Sequence, residues 1–198
     1  MQKVAHNPLK NKIIMENLNY LLSVLNDSSS AEDIQSTFAK IAKILLFKSH
    51  IKTSYGNYRI LEIEFYFFNQ NHKDTVTMYR EEEPGMWWLH EWGVDLSFKS
   101  EKDYYGGILI RSILDEEDNK YICGPQKCCQ ELFYSSAFKE SLAPRILEDV
   151  AYTGMLATTK RQIRGRNNGV NERYRYFVKD VDMEEVKNYK ESPWNKSI

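Results

Sequence analysis

The stretch RILEIEFYFF, residues 59–68, constrains this chain more than any other: ten residues that alternate strictly enough to be a strand and nothing else. Successive side chains on a strand point to opposite faces, so Ile60, Glu62, Glu64 and Tyr66 are expected on one side and Leu61, Ile63, Phe65 and Phe67 on the other. Glu64 is the odd residue of the run. A carboxylate amid aromatic and aliphatic neighbours either faces water or is partnered or protonated, because burying it alone costs several kcal/mol. Periodicity leaves both readings open.

Around this strand the chain divides into recognisable pieces. Ile14, Leu18, Leu21, Leu22 and Leu25 recur at helical spacing, and Asn26 with Ser28, Ser29 and Ser30 ends that helix. Ser30 before Ala31, Glu32 and Asp33 is a helix N-cap followed by acids, and Ile34, Phe38, Ile41, Ala42 and Leu45 carry a second amphipathic helix expected to pack on the first. A polar stretch, residues 69–85, leads into GMWWLHEWGVDLSF, read as a hairpin or an aromatic contact surface, with Trp87 and Trp88 assigned to the core. GGILIRSIL is a further strand whose one interior charge is Arg111, and DEED closes it as an acidic turn. Pro125 suits the first position of a helix, and SAFKESLAPRILED reads as another helical segment, broken or begun at Pro144. Together these define an α+β fold: a curved, mostly antiparallel sheet flanked by helices in a single domain, with two extra N-terminal helices.

Charge narrows the function classes. With 27 basic and 28 acidic side chains in 198 residues, no global field draws the chain to nucleic acid, so such a partner must be held locally. Between Thr158 and Lys179 seven basic residues face one acid, Glu172, whereas residues 79–103 hold three cations and seven acids. No phosphate-binding loop, dinucleotide fingerprint or nucleophile elbow occurs. Cys123, Cys128 and Cys129 lack paired metal spacing and read as helix-packing thiols, so no metal and no cofactor are expected. The odd cysteine count and the polar start, without the apolar core of a signal peptide, predict a cytoplasmic protein with no membrane contact.

In order along the chain, AKILLF with YGNYRILEIEFY, GMWWLHEWG, GILIRSILDEED, CGPQKCCQEL, and IRGRNNG with RYRYFV resemble the successive motifs of the alkyladenine (3-methyladenine, or methylpurine) DNA glycosylase family. The resemblance spans roughly residues 38–180. It implies a glycosylase-like domain there, with residues 1–37 as a helical extension packed on it and 181–198 as a tail. It also implies a monomer acting on damaged DNA, duplex or single-stranded, that flips an alkylated or deaminated purine out of the helix and hydrolyses its N-glycosidic bond in base excision repair.

By that resemblance Glu64 is the general base that activates water, and Arg111 is the arginine that holds water and carboxylate. Tyr66, two residues along from Glu64, stacks on the extruded base, and His72 stands for the histidine on the base's other face. Trp92 falls at the residue that wedges into the duplex. An ungapped alignment on Gly93 puts Leu89 at a second stacking position, or His90 after a slip of one residue, and Lys99 lies near a purine-discriminating asparagine. Lys160, Arg164 and Arg166 are expected to contact phosphates.

The acidic surround of the tryptophan hairpin keeps other readings in view. A repurposed or non-catalytic member would use the same aromatic face to bind a base, a nucleotide or a protein. A hydrolase of small N-glycosides would use the same carboxylate without duplex DNA. The readings part at Glu64, which a catalyst needs buried within reach of Arg111.

Overall fold

The computed structural model describes residues 17–133, 143–161 and 172–179. Residues 17–23 are helical (α1), followed by α2 (Ala31–Phe47), β1 (His50–Lys52), β2 (Asn57–Phe68), β3 (Trp87–His90), β4 (Gly93–Ser97), β5 (Tyr105–Asp115) and β6 (Lys120–Cys123). Helix α3 (Pro125–Phe133) and strands β7 (Arg145–Leu147), β8 (Leu156–Thr159) and β9 (Arg175–Val178) complete the described elements. The strands form one curled antiparallel sheet in the order β3-β4-β5-β2-β1-β7, with β6 beside β5 and with β9 pairing both β2 and β8. The expected α+β class is the one observed.

Helix α2 begins where the sequence placed it. Ser30 Oγ accepts from the Asp33 backbone N–H at 3.2 Å, and the Asp33 carboxylate accepts from the Ser30 N–H at 3.1 Å, a reciprocal cap that satisfies two of the helix's unpaired donors. The Ser30 hydroxyl and N–H hold the Asp33 carboxyl below the usual carboxylate range. Ile34, Phe38, Ile41 and Leu45 then fall on the face turned to the sheet, all sealed from solvent. Phe38 stacks on Phe65 of β2 with ring centroids 4.3 Å apart, and Phe65 meets the edge of Tyr176 of β9 at 5.3 Å. Leu18, Leu21, Leu22 and Leu25 enter the same core cluster, so the two helices share one core with the sheet. Helix α2 runs unbroken through residues 37 and 38, where the sequence reading set the edge of the glycosylase-like domain.

Alternation along β2 holds from Glu62 onward and breaks before it. Ile60 pairs with Ile113 and Glu62 with Ser112, so Leu61 is an extra residue; the next pair is Ile63 with Ile110, so Arg111 is extra on β5. The phase therefore shifts, and Ile60 lies in the core with Ile63, Phe65 and Phe67 rather than on the side of Glu62 and Glu64. A second departure is at Pro144: Arg145–Leu147 is strand β7 on the edge of β1, not helix. The extended conformation keeps β1 from being a bare edge, an advantage that the local helical pattern does not reveal. The rest of that expected segment, 134–142, lies outside the described residues, as do residues 1–16 and the tail.

Candidate active site on the polar face of the sheet

Opposite the aromatic core, the other face of β2 carries Glu62, Glu64 and Tyr66. Glu64 is 1% exposed and Glu62 3%, so neither faces water. Arg111, displaced by the β5 irregularity, aims its guanidinium at both: Nη1 lies 3.1 Å from Glu64 Oε2 and Nε 3.6 Å from Glu62 Oε1. Strand β9 brings Arg175 opposite Glu64 in register, where its Nε donates to Glu62 Oε1 and sits 3.9 Å from Glu64 Oε1. Ser112 Oγ donates to the second oxygen of Glu62 at 2.9 Å. Two carboxylates and two guanidiniums thus neutralise one another in a place that could hold neither sign alone.

Glu62 and Glu64 are not equivalent. Both oxygens of Glu62 accept hydrogen bonds, whereas of Glu64 only Oε2 does, from Arg111 and from the Tyr66 hydroxyl at 2.7 Å. Glu64 Oε1 is buried and has no hydrogen-bond partner among the described residues. Burial, then the Glu64 charge, pushes the Tyr66 phenol well above its ordinary pKa, so it stays a donor. Burial would weaken the Arg111 cation, but Glu64 and Glu62 outweigh it and raise its pKa.

Arg161, one of the seven basic residues from the segment expected to meet phosphates, is turned inward instead. It pairs with Asp74 through Nη1 and Nη2 at 2.8 Å each, donates to the Phe65 carbonyl at 2.8 Å, and lies over the Tyr66 ring with 4.4 Å to the centroid. Arg173 is held by Thr158. Lys160 is exposed, while Arg164 and Arg166 lie outside the described residues.

His72 is 4% exposed, and both ring nitrogens are occupied: Nδ1 lies 2.8 Å from the Phe67 carbonyl and Nε2 2.9 Å from the Tyr174 hydroxyl. It ties the loop after β2 to the residue that precedes β9, with no free ring nitrogen to offer a ligand. Trp92 is 59% exposed at the tip of the β3–β4 hairpin, and Leu89, 52% exposed, projects from β3. Lys99 pairs with Glu101 at 2.9 Å near the surface. Trp87 packs edge-on against Phe133 and donates to the Pro144 carbonyl at 2.6 Å, as expected of a core residue. Trp88 lies under the Arg80 guanidinium at 3.8 Å. Cys128 is sealed, while Cys123 and Cys129 are half-buried; burial raises all three thiols.

The structure therefore brings Glu64, Arg111 and Tyr66 together and leaves His72 and Trp92 in different settings. Glu62, Arg175, Asp74 and Arg161 are additions. The signal for Arg175 was present in RYRYFV, where alternation puts the arginines opposite the tyrosines and hence on the carboxylate side. Nothing local announces Asp74 or Arg161, which meet across 87 positions of chain.

Among the described residues no helix is long and apolar enough to cross a membrane, and no three His, Cys, Asp or Glu side chains are grouped to hold a metal ion. No protein-family model matches the chain, and no curated protein matches it.

Proposed function

We propose that the chain hydrolyses the N-glycosidic bond of alkylated or deaminated purine nucleotides in DNA, with Glu64 as general base. The observation that carries this reading is the asymmetry of Glu64: Oε2 is fixed by Arg111 and Tyr66, and the buried Oε1 accepts no hydrogen bond among the described residues, with Arg175 near it at 3.9 Å. A carboxylate held by hydrogen bonds at one oxygen and accepting none at the other suits the deprotonation of a water molecule. Oε1 takes the proton as the water oxygen bonds to the anomeric carbon; the carbon–nitrogen bond breaks and its electron pair leaves with the purine, which departs neutral where the base was a methylated cation and otherwise takes up a proton from solvent. Arg111 holds the carboxylate in place throughout, and the Tyr66 ring, already lined by Arg161, forms one wall for the base.

Trp92, exposed at a hairpin tip, is of a size and position suited to fill the gap left by a flipped nucleotide, and Lys160 is available for a phosphate. The sealed His72 supports the second reading, a family-like protein that binds a base or nucleotide on this face without cleaving it, because one expected stacking wall is already committed to the fold.

The deciding experiment is release of bases from methylated duplex DNA and from a duplex carrying a single hypoxanthine, at low salt, by the wild type beside Glu64→Gln. The expected result is release that falls at least about 100-fold in the variant, the scale of losing a positioned base. Equal release from both proteins, or none from a folded wild type, overturns the reading.

A further inference from the structure

A further buried guanidinium lies on the same sheet face, paired to Asp95 of β4, the strand two away from that of Glu64. Arg80 is 5% exposed, with Nη2 2.7 Å from Asp95 Oδ2 and its plane over Trp88. Its Nη1 is buried and has no hydrogen-bond partner among the described residues. The place of that nitrogen follows from a glycine: a Cβ on Gly107 would stand 2.5 Å from Arg80 Nη1 and 3.0 Å from Asp95 Oδ2. Gly107 pairs with Tyr66, and Asp95 pairs with Leu109, which pairs with Glu64. Residues paired across antiparallel strands project to one face, so the orphan donor stands over Gly107, one strand spacing of about 5 Å from the Tyr66 backbone and offset by two residues along the strand from Glu64.

The guanidinium is not free to turn away. The other Asp95 oxygen is 3.1 Å from His90 Nε2, and His90 Nδ1 accepts the Trp92 backbone N–H at 3.3 Å. That acceptor role puts the proton of the neutral imidazole on Nε2, donated to Asp95. Arg80, Asp95 and His90 thus form a chain of bonds from the hairpin tip to the sheet face, ending in the unpaired Nη1 amino group.

We propose that Arg80 is a specificity-determining residue whose Nη1 donates to the ring carbonyl oxygen of a deaminated purine, so that the site prefers such bases to alkylated purines lacking that oxygen. The choice of ligand rests on the reading of Glu64 as an N-glycosidic catalyst. Asp95 already balances the charge of Arg80, so the discrimination comes from the aimed donor: a base without an acceptor leaves a buried N–H unpaired.

The test combines binding and release. Calorimetric titration with free hypoxanthine and with unsubstituted purine, which lacks the oxygen, is made on the wild type, on Arg80→Lys, and on Arg80→Gln combined with Asp95→Asn, which replaces the ion pair by two amides. Release of hypoxanthine and of 3-methyladenine from duplex DNA is measured on the same proteins. The expected result is at least 10-fold tighter binding of hypoxanthine than of purine by wild type, with the ratio near one in the double variant and reduced in Arg80→Lys should the double variant fail to fold. Equal binding of the two bases by wild type, an unchanged ratio in a folded variant, or no binding of either base overturns the assignment. Arg80-dependent binding without any release overturns the hydrolytic reading and leaves Arg80 standing. Glu64-dependent release with no preference for hypoxanthine does the reverse.

Discussion

Arg161 grips Asp74 through two nitrogens at 2.8 Å each, with both side chains all but sealed from water, and in doing so it fixes the loop after β2 to the segment after β8. Removing one partner leaves the other charge buried without its balance. Arg161→Met is expected to cost about 3–5 kcal/mol, and Arg161→Met with Asp74→Leu distinctly less. Urea unfolding of the two variants and of Asp74→Leu alone measures the difference; equal losses in the single and double variants would show the pair to be incidental.

Tyr66→Phe removes one of the two donors to Glu64 and keeps the ring under Arg161. The fold is expected to survive with a loss of about 1.5–3 kcal/mol, the scale of a hydrogen bond to a charged group. Under the hydrolytic reading base release falls less in Tyr66→Phe than in Tyr66→Ala, which also loses the wall; single-turnover release from both variants checks the order. Because the phenol stays protonated far beyond its usual range, its tyrosinate absorbance is expected only when the protein unfolds.

Glu148, after β7, is 4% exposed with Oε2 unpartnered, and burial pushes its carboxyl up to about 7, against a smaller pull from Lys48. The native state therefore holds this proton more tightly than the unfolded chain. Its contribution favours the fold at low pH and is lost as pH rises from about 4.5, the ordinary glutamate value, through about 7. Glu148→Gln is expected to gain about 1–2 kcal/mol on the wild type between pH 5 and pH 8. Parallel denaturant titrations at the two values show whether it does.

Gly106 and Gly56 make a paired test of close approach. A Cβ on Gly106 would run into the Tyr66 carbonyl of the neighbouring strand and stand 2.9 Å from the Phe67 Cα, both backbone atoms that cannot step aside. On Gly56 it would meet a movable Glu117 side chain at 3.7 Å. Gly106→Ala is expected to lower the melting temperature by well over 5 °C and Gly56→Ala by a degree or two at most.

What could be read from the sequence was what obeys a local rule. The Ser30 cap, the apolar stripe of α2, Pro125 opening α3, and the alternation of Glu62, Glu64 and Tyr66 all follow from spacing within a few residues, and all are in the structure. The phase of Ile60 was not legible, because the irregularity that shifts it depends on how β5 pairs with β2. Strand β7 was hidden for a similar reason, since its three residues are extended only because β1 offers an edge. At the site, Glu64 and Arg111 stood out as charges inside apolar runs. Arg161 did not: it sits in a basic segment where every neighbour suggests solvent, and only its distant partner Asp74 explains why it is buried. His72 belongs with it, because its ring was visible in the sequence but Tyr174, 102 positions away, was not.

The bond from Arg175 to Glu62 joins positions 113 apart and reaches the strand that carries both carboxylates. As the chain emerges from the ribosome, β2 and β5 can pair long before residue 175 is made, and until then Glu62 and Glu64 share the single cation of Arg111. This face of β2 thus carries surplus negative charge from the pairing of β5 until β9 arrives. A product truncated ahead of β9 would be left with that imbalance in its central strand, so the last described strand of the sheet is also the one that balances the charge of its middle.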